Sequence, residues 1–442
     1  MSGRRRYAVV GLGSRSRMYT NALLGKYAGH GELVGLCDVN ATRMAWHLES
    51  FRRRCEGAGT VATYHPDGFA RMLREQAVDA VIVTSVDRTH HRYIVEAVRA
   101  GCDVITEKPL TIDGPRCQAI VDAVRETGRR VLVAFNYRYA PRNARVKQLL
   151  DAGAIGRVLS AHFEWLLDTT HGADYYRRWH RDKRNSGGLM IHKASHHFDL
   201  MNWWLRARPE SVFGFGRLAF YGRENAEERG VTRFYERAHG SETARTDPFA
   251  LHLEQDAQLK GMYLDAEHED GYLRDRSVFA DGISIEDDMA LVIRYSTRAS
   301  LTYHLTSYSP WEGYRVVFNG TEGRLEFEAV ERSYVSGSLE DVNQPEVRDV
   351  TGITGANRVR ILVRPLWRPP QEVRLEEDED EGGHAGADVR LLEALFGEGA
   401  GEDPLGRNST YLDGVFAILP GVGANQAFAT GLPVDLTSLV RL

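Results

Sequence analysis

The chain has 442 residues, 43% of them hydrophobic, and a formal net charge of −5. That length exceeds one ordinary domain and the apolar content can fill at least two cores, so two domains are expected, and the mildly negative charge gives no basis for a nucleic-acid partner. No run approaches the roughly 18 apolar residues of a membrane span, and the apolar stretch 7–10 behind Arg4-Arg5-Arg6 is cut by Gly11 and Gly13 before it reaches the length of a secretory signal core, so a soluble, cytoplasmic protein is expected.

In chain order, short β-rich apolar runs at 7–10, 33–37, 80–84, 104–106 and 131–135 alternate with helix-compatible segments. This alternation predicts a parallel, doubly wound sheet in a first domain spanning 1–137. In the second domain, 138–442, runs at 159–165, 212–218, 289–295, 300–306, 314–318 and 324–327 alternate apolar with polar residues, which predicts an open, mainly antiparallel sheet with one buried face. Ser296-Thr297-Arg298-Ala299 reads as a hairpin connection between two of these runs. Two insertions, near 221–280 and 331–386, resist a compact reading; the second holds the acidic run 376–381, expected to be a solvated, dispensable loop. Helices are expected at 389–396 and 411–428.

Several of these positions carry chemistry. Gly11-Leu12-Gly13 follows the first strand and precedes a helix, the context in which backbone N–H groups cradle a pyrophosphate. Ser14 and Arg15 continue the turn, and Ser16 stands in the place of a third glycine. Asp38 closes the second strand, where a carboxylate hydrogen-bonds ribose hydroxyls and repels a 2′-phosphate; with Val39 and Asn40 following, NAD is favoured over NADP. Glu107-Lys108-Pro109 closes a further parallel strand, at the end where such sheets bind ligands. There the Lys108 ammonium can donate to a substrate hydroxyl, although a plain Glu-Lys surface pair is the alternative. In the segment 187–199, His192 and His196 are four apart and Asp199 three further, so a helix would put all three on one face. A histidine is the usual proton acceptor for a hydroxyl near neutral pH; the alternative is a pair of histidines satisfied inside a packed helix. No metal is expected, since the Glu of an H-E-x-x-H pattern and a third ligand are missing. Cys37, Cys55, Cys102 and Cys117 lack ligand spacing and read as buried reduced thiols.

Taken together, Gly11-Leu12-Gly13-Ser14-Arg15, Asp38, Thr89-His90, the stretch 100–109 ending in Glu107-Lys108-Pro109, Asn136-Tyr137-Arg138 and the segment 187–199 resemble the glucose-fructose oxidoreductase, inositol dehydrogenase and rhizopine-catabolism (Gfo/Idh/MocA) family. The resemblance spans nearly the whole chain. It implies a Rossmann domain followed by an α+β domain with an open sheet, the nicotinamide between them, and sugars, cyclitols or their derivatives as substrates. It further implies that Gly11, Gly13, Ser14, Arg15, Asp38, Thr84, His90, Glu107 and Lys108 hold the cofactor, with Arg15 near the phosphates. Lys108 would orient substrate, His196 would match the catalytic histidine, and a homo-oligomer would form through the second sheet. Asn136 and Arg138 near the domain junction, with Trp179, His180, Lys183 and His192, are the expected substrate residues. One departure stands out: many relatives carry an aspartate where this chain has His192, so His192 either shares a proton with His196 or contacts substrate. An NAD-dependent dehydrogenase acting on a secondary hydroxyl is the leading expectation. A redox-neutral glycosidase or lyase that oxidises its substrate transiently is the alternative, and a sensor that binds NAD without turnover is a third.

Overall fold

The computed structural model describes residues 4–54, 61–337, 359–375, 386–397 and 403–442. The acidic run 376–381 and Cys55 lie outside these residues. Six strands, β1 (Arg5–Val10), β2 (Gly31–Cys37), β3 (Ala62–Tyr64), β4 (Ala80–Val83), β5 (Asp103–Thr106) and β6 (Val131–Val133), pair in parallel in the order β3-β2-β1-β4-β5-β6. β4 is Ala-Val-Ile-Val and buried throughout, as a strand covered by helices on both faces must be. The order reverses direction between β1 and β4, which opens a crevice at their carboxyl ends.

Nine further strands form an open, mostly antiparallel sheet: β7 (Val158–Asp168), β8 (Pro209–Arg217), β9 (Asp288–Tyr295), β10 (Ser300–Ser309), β11 (Glu312–Gly320), β12 (Gly323–Arg332), β13 (Val359–Pro365), β14 (Gln371–Val373) and β15 (Val434–Asp435), ordered β14-β13-β12-β11-β7-β10-β9-β8-β15. Burial alternates residue by residue along β9 and β10, so one face carries the core and the other faces outward. The hairpin at Ser296 closes as expected, with the Tyr295 N–H donating to the Ala299 carbonyl at 2.9 Å. One pairing departs from the antiparallel expectation: β10 runs parallel to β7. Alternation specifies a buried face but carries no strand direction.

Both insertions hold more structure than their charge suggests. Within 221–280 short helices enclose two small apolar clusters, one of Leu251, Leu253, Leu259, Met262 and Tyr263 and one of Ala238, Ala244 and Ala250. Several of its charges pair within the fold, as in Arg237 with Glu267 at 2.6 Å. The stretch 331–386 supplies β13 and β14. Helix Ala387–Phe396 returns to the first domain, where Phe396 meets the Tyr7 ring edge-on at 5.3 Å. Cys37, Cys102 and Cys117 are buried free thiols, pushed by burial up to about 12, 11 and 12. Among the described residues no helix is long and apolar enough to cross a membrane.

The two domains are joined by helix Tyr411–Thr430, which starts at a capping box of Thr410 and Asp413. Its Gly421 passes so close to the histidine segment that a Cβ there would stand 2.3 Å from the Met190 carbonyl oxygen, and Asn425 Nδ2 donates to the Gly187 carbonyl at 2.7 Å. Gly421→Val is therefore expected to destabilise the protein by about 1–3 kcal/mol, the usual cost of overpacking. Chemical denaturation followed by circular dichroism reads the effect; an unchanged midpoint would show that helix and segment separate freely.

Candidate active site

The cofactor edge begins at the β1 turn. Gly11 has φ +84°, and a Cβ on it would lie 2.3 Å from Ser85 Cα at the end of β4, so no other residue lets the two strand ends approach this closely. The Leu12 N–H donates to Asp38 Oδ2 at 2.6 Å and the Asn40 N–H to Oδ1 at 2.9 Å, which fixes the Asp38 carboxylate at the tip of β2. Burial raises its pKa against the opposing pull of Arg43. Ser16 hydroxyl donates to the Gly13 carbonyl at 2.7 Å and thereby closes the turn that a third glycine would have made. The Ser14 N–H points at an oxygen, the Tyr263 hydroxyl, 2.9 Å away. A turn whose N–H groups seek oxygen acceptors, a fixed carboxylate at β2 and a crevice between β1 and β4 together fit a dinucleotide.

Arg43 was not singled out beside Asp38, yet it lies 3.3 Å from it. It also pairs with Asp270 at 3.1 Å and donates Nε to the Met262 carbonyl, so its charge is already spent within the protein. Tyr263, Met262 and Asp270 all come from the 221–280 insertion, which folds across the cofactor edge.

At the end of β5, Glu107 accepts from Arg15 Nε at 2.5 Å and from the Tyr19 hydroxyl at 2.8 Å, while the other Arg15 nitrogens pair with Asp388. Arg15 is thus tied to two carboxylates instead of being free to meet phosphates. Thr84 hydroxyl donates to the Val10 carbonyl, and both His90 ring nitrogens face carbonyl oxygens, of Pro109 at 2.8 Å and Ser85 at 2.9 Å. These two residues hold the loops after β1, β4 and β5 together. Lys108 Nζ reaches across the crevice and donates to the His192 carbonyl at 3.1 Å. Burial, reinforced by the Lys193 charge, lowers its pKa to about 8.

The histidine segment is not one continuous helical face. A short helix, Leu189–His192, ends before helix Ala194–Leu205 begins. Asp199, in the same helix as His196, forms a two-pronged pair with Arg138 at 2.6 and 2.8 Å. Arg138, 3% exposed, also bonds Asp413 and the Gly406 carbonyl, so it braces the domain junction and is not available to substrate. Asn136 likewise donates to Asp388 at 2.8 Å. His196 lies flat on the Tyr137 ring at 4.3 Å and is 6% exposed. His192 Nδ1 is 2.6 Å from Asp87 Oδ2, so a carboxylate does meet this site, supplied by the loop after β4. Burial disfavours charge on both partners, raising Asp87 and lowering His192. Trp179 and His180 complete the cluster: their rings stack at 3.6 Å, and His180 meets His192 edge-on at 4.2 Å. Lys183 is tied to Glu286 beside Gly188, one turn further on.

The structure therefore brings together Lys108, His192, His180 and Trp179 and adds Asp87, Tyr175, whose ring meets His192 edge-on at 5.5 Å, and Arg178, whose charge acts on Asp87 and His192, while Tyr263 joins the glycine turn. Asp87 was legible in principle, because it follows β4 at the same strand-end position that drew attention to Lys108. Tyr263 and Arg178 sit in segments with no local pattern to mark them. Among the described residues no group of three or more His, Cys, Asp or Glu is placed to hold a metal ion.

Comparison with known proteins gives the family and the fold. Residues 5–135 match the family profile described as oxidoreductase family, NAD-binding Rossmann fold, and residues 147–364 match the profile for the same family's C-terminal alpha/beta domain. The protein YteT of Bacillus subtilis (strain 168) is 34% identical over 98% of both chains. A scyllo-inositol 2-dehydrogenase (NAD(+)) of the same organism is 31% identical over 33% of this chain and 41% of its own length. Among solved structures, the WlbA dehydrogenase from Bordetella pertussis in complex with NADH and UDP-GlcNAcA is similar in fold, with a TM-score of 0.62 at 17% identity over 98% of this chain and 99% of that one.

Proposed function

The chain belongs to the Gfo/Idh/MocA oxidoreductase family, and on that premise we propose that it oxidises a secondary hydroxyl of a sugar, cyclitol or derivative, with NAD as oxidant. The observation that carries this reading is the double link between the domains: Lys108 on the His192 carbonyl and Asp87 on the His192 ring. These contacts register the histidine segment against the cofactor edge. When bound, the dinucleotide supplies the hydride-accepting chemistry; the residues of the chain bind, orient and deprotonate. His196 accepts the hydroxyl proton. Lys108 as an ammonium steadies the negative charge that develops on the oxygen, an electrostatic effect strengthened by its burial. His192, oriented by Asp87, hydrogen-bonds a neighbouring substrate hydroxyl, and Trp179 offers an apolar surface to the ring. The test is to incubate the protein with NAD and a panel of sugars, cyclitols and glycosides while following reduced cofactor and product together. One NADH per product supports net oxidation; product without NADH would refute it.

NAD rather than NADP is the proposed cofactor, because a carboxylate at the tip of β2 would repel a 2′-phosphate and Arg43, the cation beside it, is neutralised by Asp38 and Asp270. Asp38→Ala should erode the preference. Fluorescence titration with both dinucleotides checks this, and tighter NADP binding by the unaltered protein would sink the assignment.

A further inference from the structure

The segment around Asp174 carries more positive charge than its partners neutralise. Three guanidiniums share the Asp174 carboxylate: Arg178 at 2.8 Å, Arg177 at 3.8 Å and Arg274 at 3.8 Å. Burial opposes ionisation of Asp174, but Arg178, Arg274 and Arg177 outweigh it and hold the carboxyl well below the usual range. Asp247 acts on Arg177 and Asp87 on Arg178 from further away, but Asp174 is the carboxylate in contact with all three, and away from water so unequal a pairing is costly.

Asp174 Oδ1 is itself without a hydrogen bond, but the idle donors around it outnumber it. Among the described residues, Nε and Nη1 of Arg274, Nε of Arg178 and both terminal nitrogens of Arg177 are buried without an acceptor. Arg274 is 3% exposed and Arg177 1%. Arg177 is anchored away from the site by Nε, which donates to the Phe249 carbonyl at 2.8 Å. Arg178 belongs to the reacting cluster: it directly precedes Trp179 and His180, whose rings touch His192, and its charge acts with that of Lys108 on Asp87 and His192. Arg274 lies over the Tyr263 ring, 4.6 Å from its centre, beside the glycine turn.

We propose that Arg178 and Arg274 bind a carboxylate of the substrate, which makes the substrate a sugar acid such as a hexuronate and not a neutral sugar or cyclitol. The inference deepens the oxidation reading above and rests on it. A carboxylate supplies the acceptors that the idle N–H groups lack, and a guanidinium matches its planar, two-oxygen geometry. The hydroxyls of a neutral sugar can accept from these donors but bring neither the negative charge nor the planar two-oxygen geometry, and hydrogen bonds to a charged acceptor are the stronger ones. The dinucleotide diphosphate is the other source of negative charge, but a diphosphate belongs at the glycine turn, whereas Arg178 sits on the histidine side of the crevice, directly before Trp179 and His180.

The experiment measures binding to the protein with NADH by calorimetry, so that it reads no turnover. The probes are matched pairs: D-glucuronate with D-glucose, D-galacturonate with D-galactose and D-mannuronate with D-mannose. In at least one pair the acid should bind about 30-fold or more tighter than the neutral sugar. Arg178→Met should shrink that ratio to within about threefold, Arg178→Lys should retain part of it, and NADH affinity should hold within about threefold. Equal binding of acid and neutral sugar in all pairs by the unaltered protein would overturn the proposal, and that comparison depends on no variant. So would an Arg178→Met protein that keeps the ratio but loses NADH affinity tenfold, since the cluster would then serve the diphosphate. Acid-selective binding here, together with no NADH formed when the same acids are given to the protein with NAD in the turnover assay above, would refute the oxidation reading while leaving the carboxylate site standing.

Discussion

Lys108→Ala is expected to lower kcat by about 10²–10⁴, the range for groups that stabilise charge or move protons in the transition state, equivalent to about 3–5 kcal/mol. The ammonium is held on the His192 carbonyl, at the seam of the two domains, so its loss removes charge stabilisation without touching the glycine turn or Asp38. NAD affinity should therefore survive, and kcat and kcat/KM should fall together. The pH profile adds a second reading. Burial places the Lys108 pKa at about 8, below an ordinary lysine. Because a lysine is cationic only below its pKa, the stabilising charge is present below about pH 8 and lost above it. The alkaline limb of kcat/KM should fall from about pH 8 in the unaltered protein and move to higher pH in Lys108→Arg. Steady-state rates across pH 6–10 decide the matter; full activity of Lys108→Ala at every pH would remove the residue from the mechanism.

His196→Ala should fall by a comparable factor of about 10²–10⁴ in kcat, while His192→Ala should raise KM more than it lowers kcat, because a hydrogen bond to a spectator hydroxyl serves ground state and transition state alike. Asp87→Asn should reproduce the His192 phenotype. Its carboxylate lies 2.6 Å from Nδ1 and sets which ring nitrogen faces the substrate, so the asparagine variant misorients an intact imidazole. A double variant, His192→Ala with Asp87→Asn, should be no worse than His192→Ala alone, the signature of two residues acting as one unit. If His192→Ala instead abolishes kcat and His196→Ala does not, the two histidines exchange roles.

Much of the architecture is written in local pattern. Apolar runs separated by helical segments specify the parallel sheet because a strand buried on both faces must be apolar throughout, and β4 is. Gly11 marks the turn because only glycine lets β1 and β4 close to this distance, and Asp38 and Lys108 announce themselves by standing at strand ends, where an α/β sheet binds ligands. These are properties of a residue and its near neighbours, so a single sequence determines them. What pairs across the fold is not of that kind. Asp87 and His192 are 105 residues apart and Ser14 and Tyr263 are 249 apart; no periodicity links them. The helical spacing of His192, His196 and Asp199, four residues and then three, suggested a shared face, but the helix breaks after His192 and a buried Arg138 claims Asp199, since a buried carboxylate is satisfied best by the nearest guanidinium. The insertion 221–280 resisted a compact reading because of its many charges, whereas in the fold several of them pair across it, as in Arg237 with Glu267 and Arg43 with Asp270. Composition determined the layers and the strand-end chemistry; only the tertiary structure decided which carboxylate serves which cation, because that choice depends on distance in space and on the loss of water around the pair.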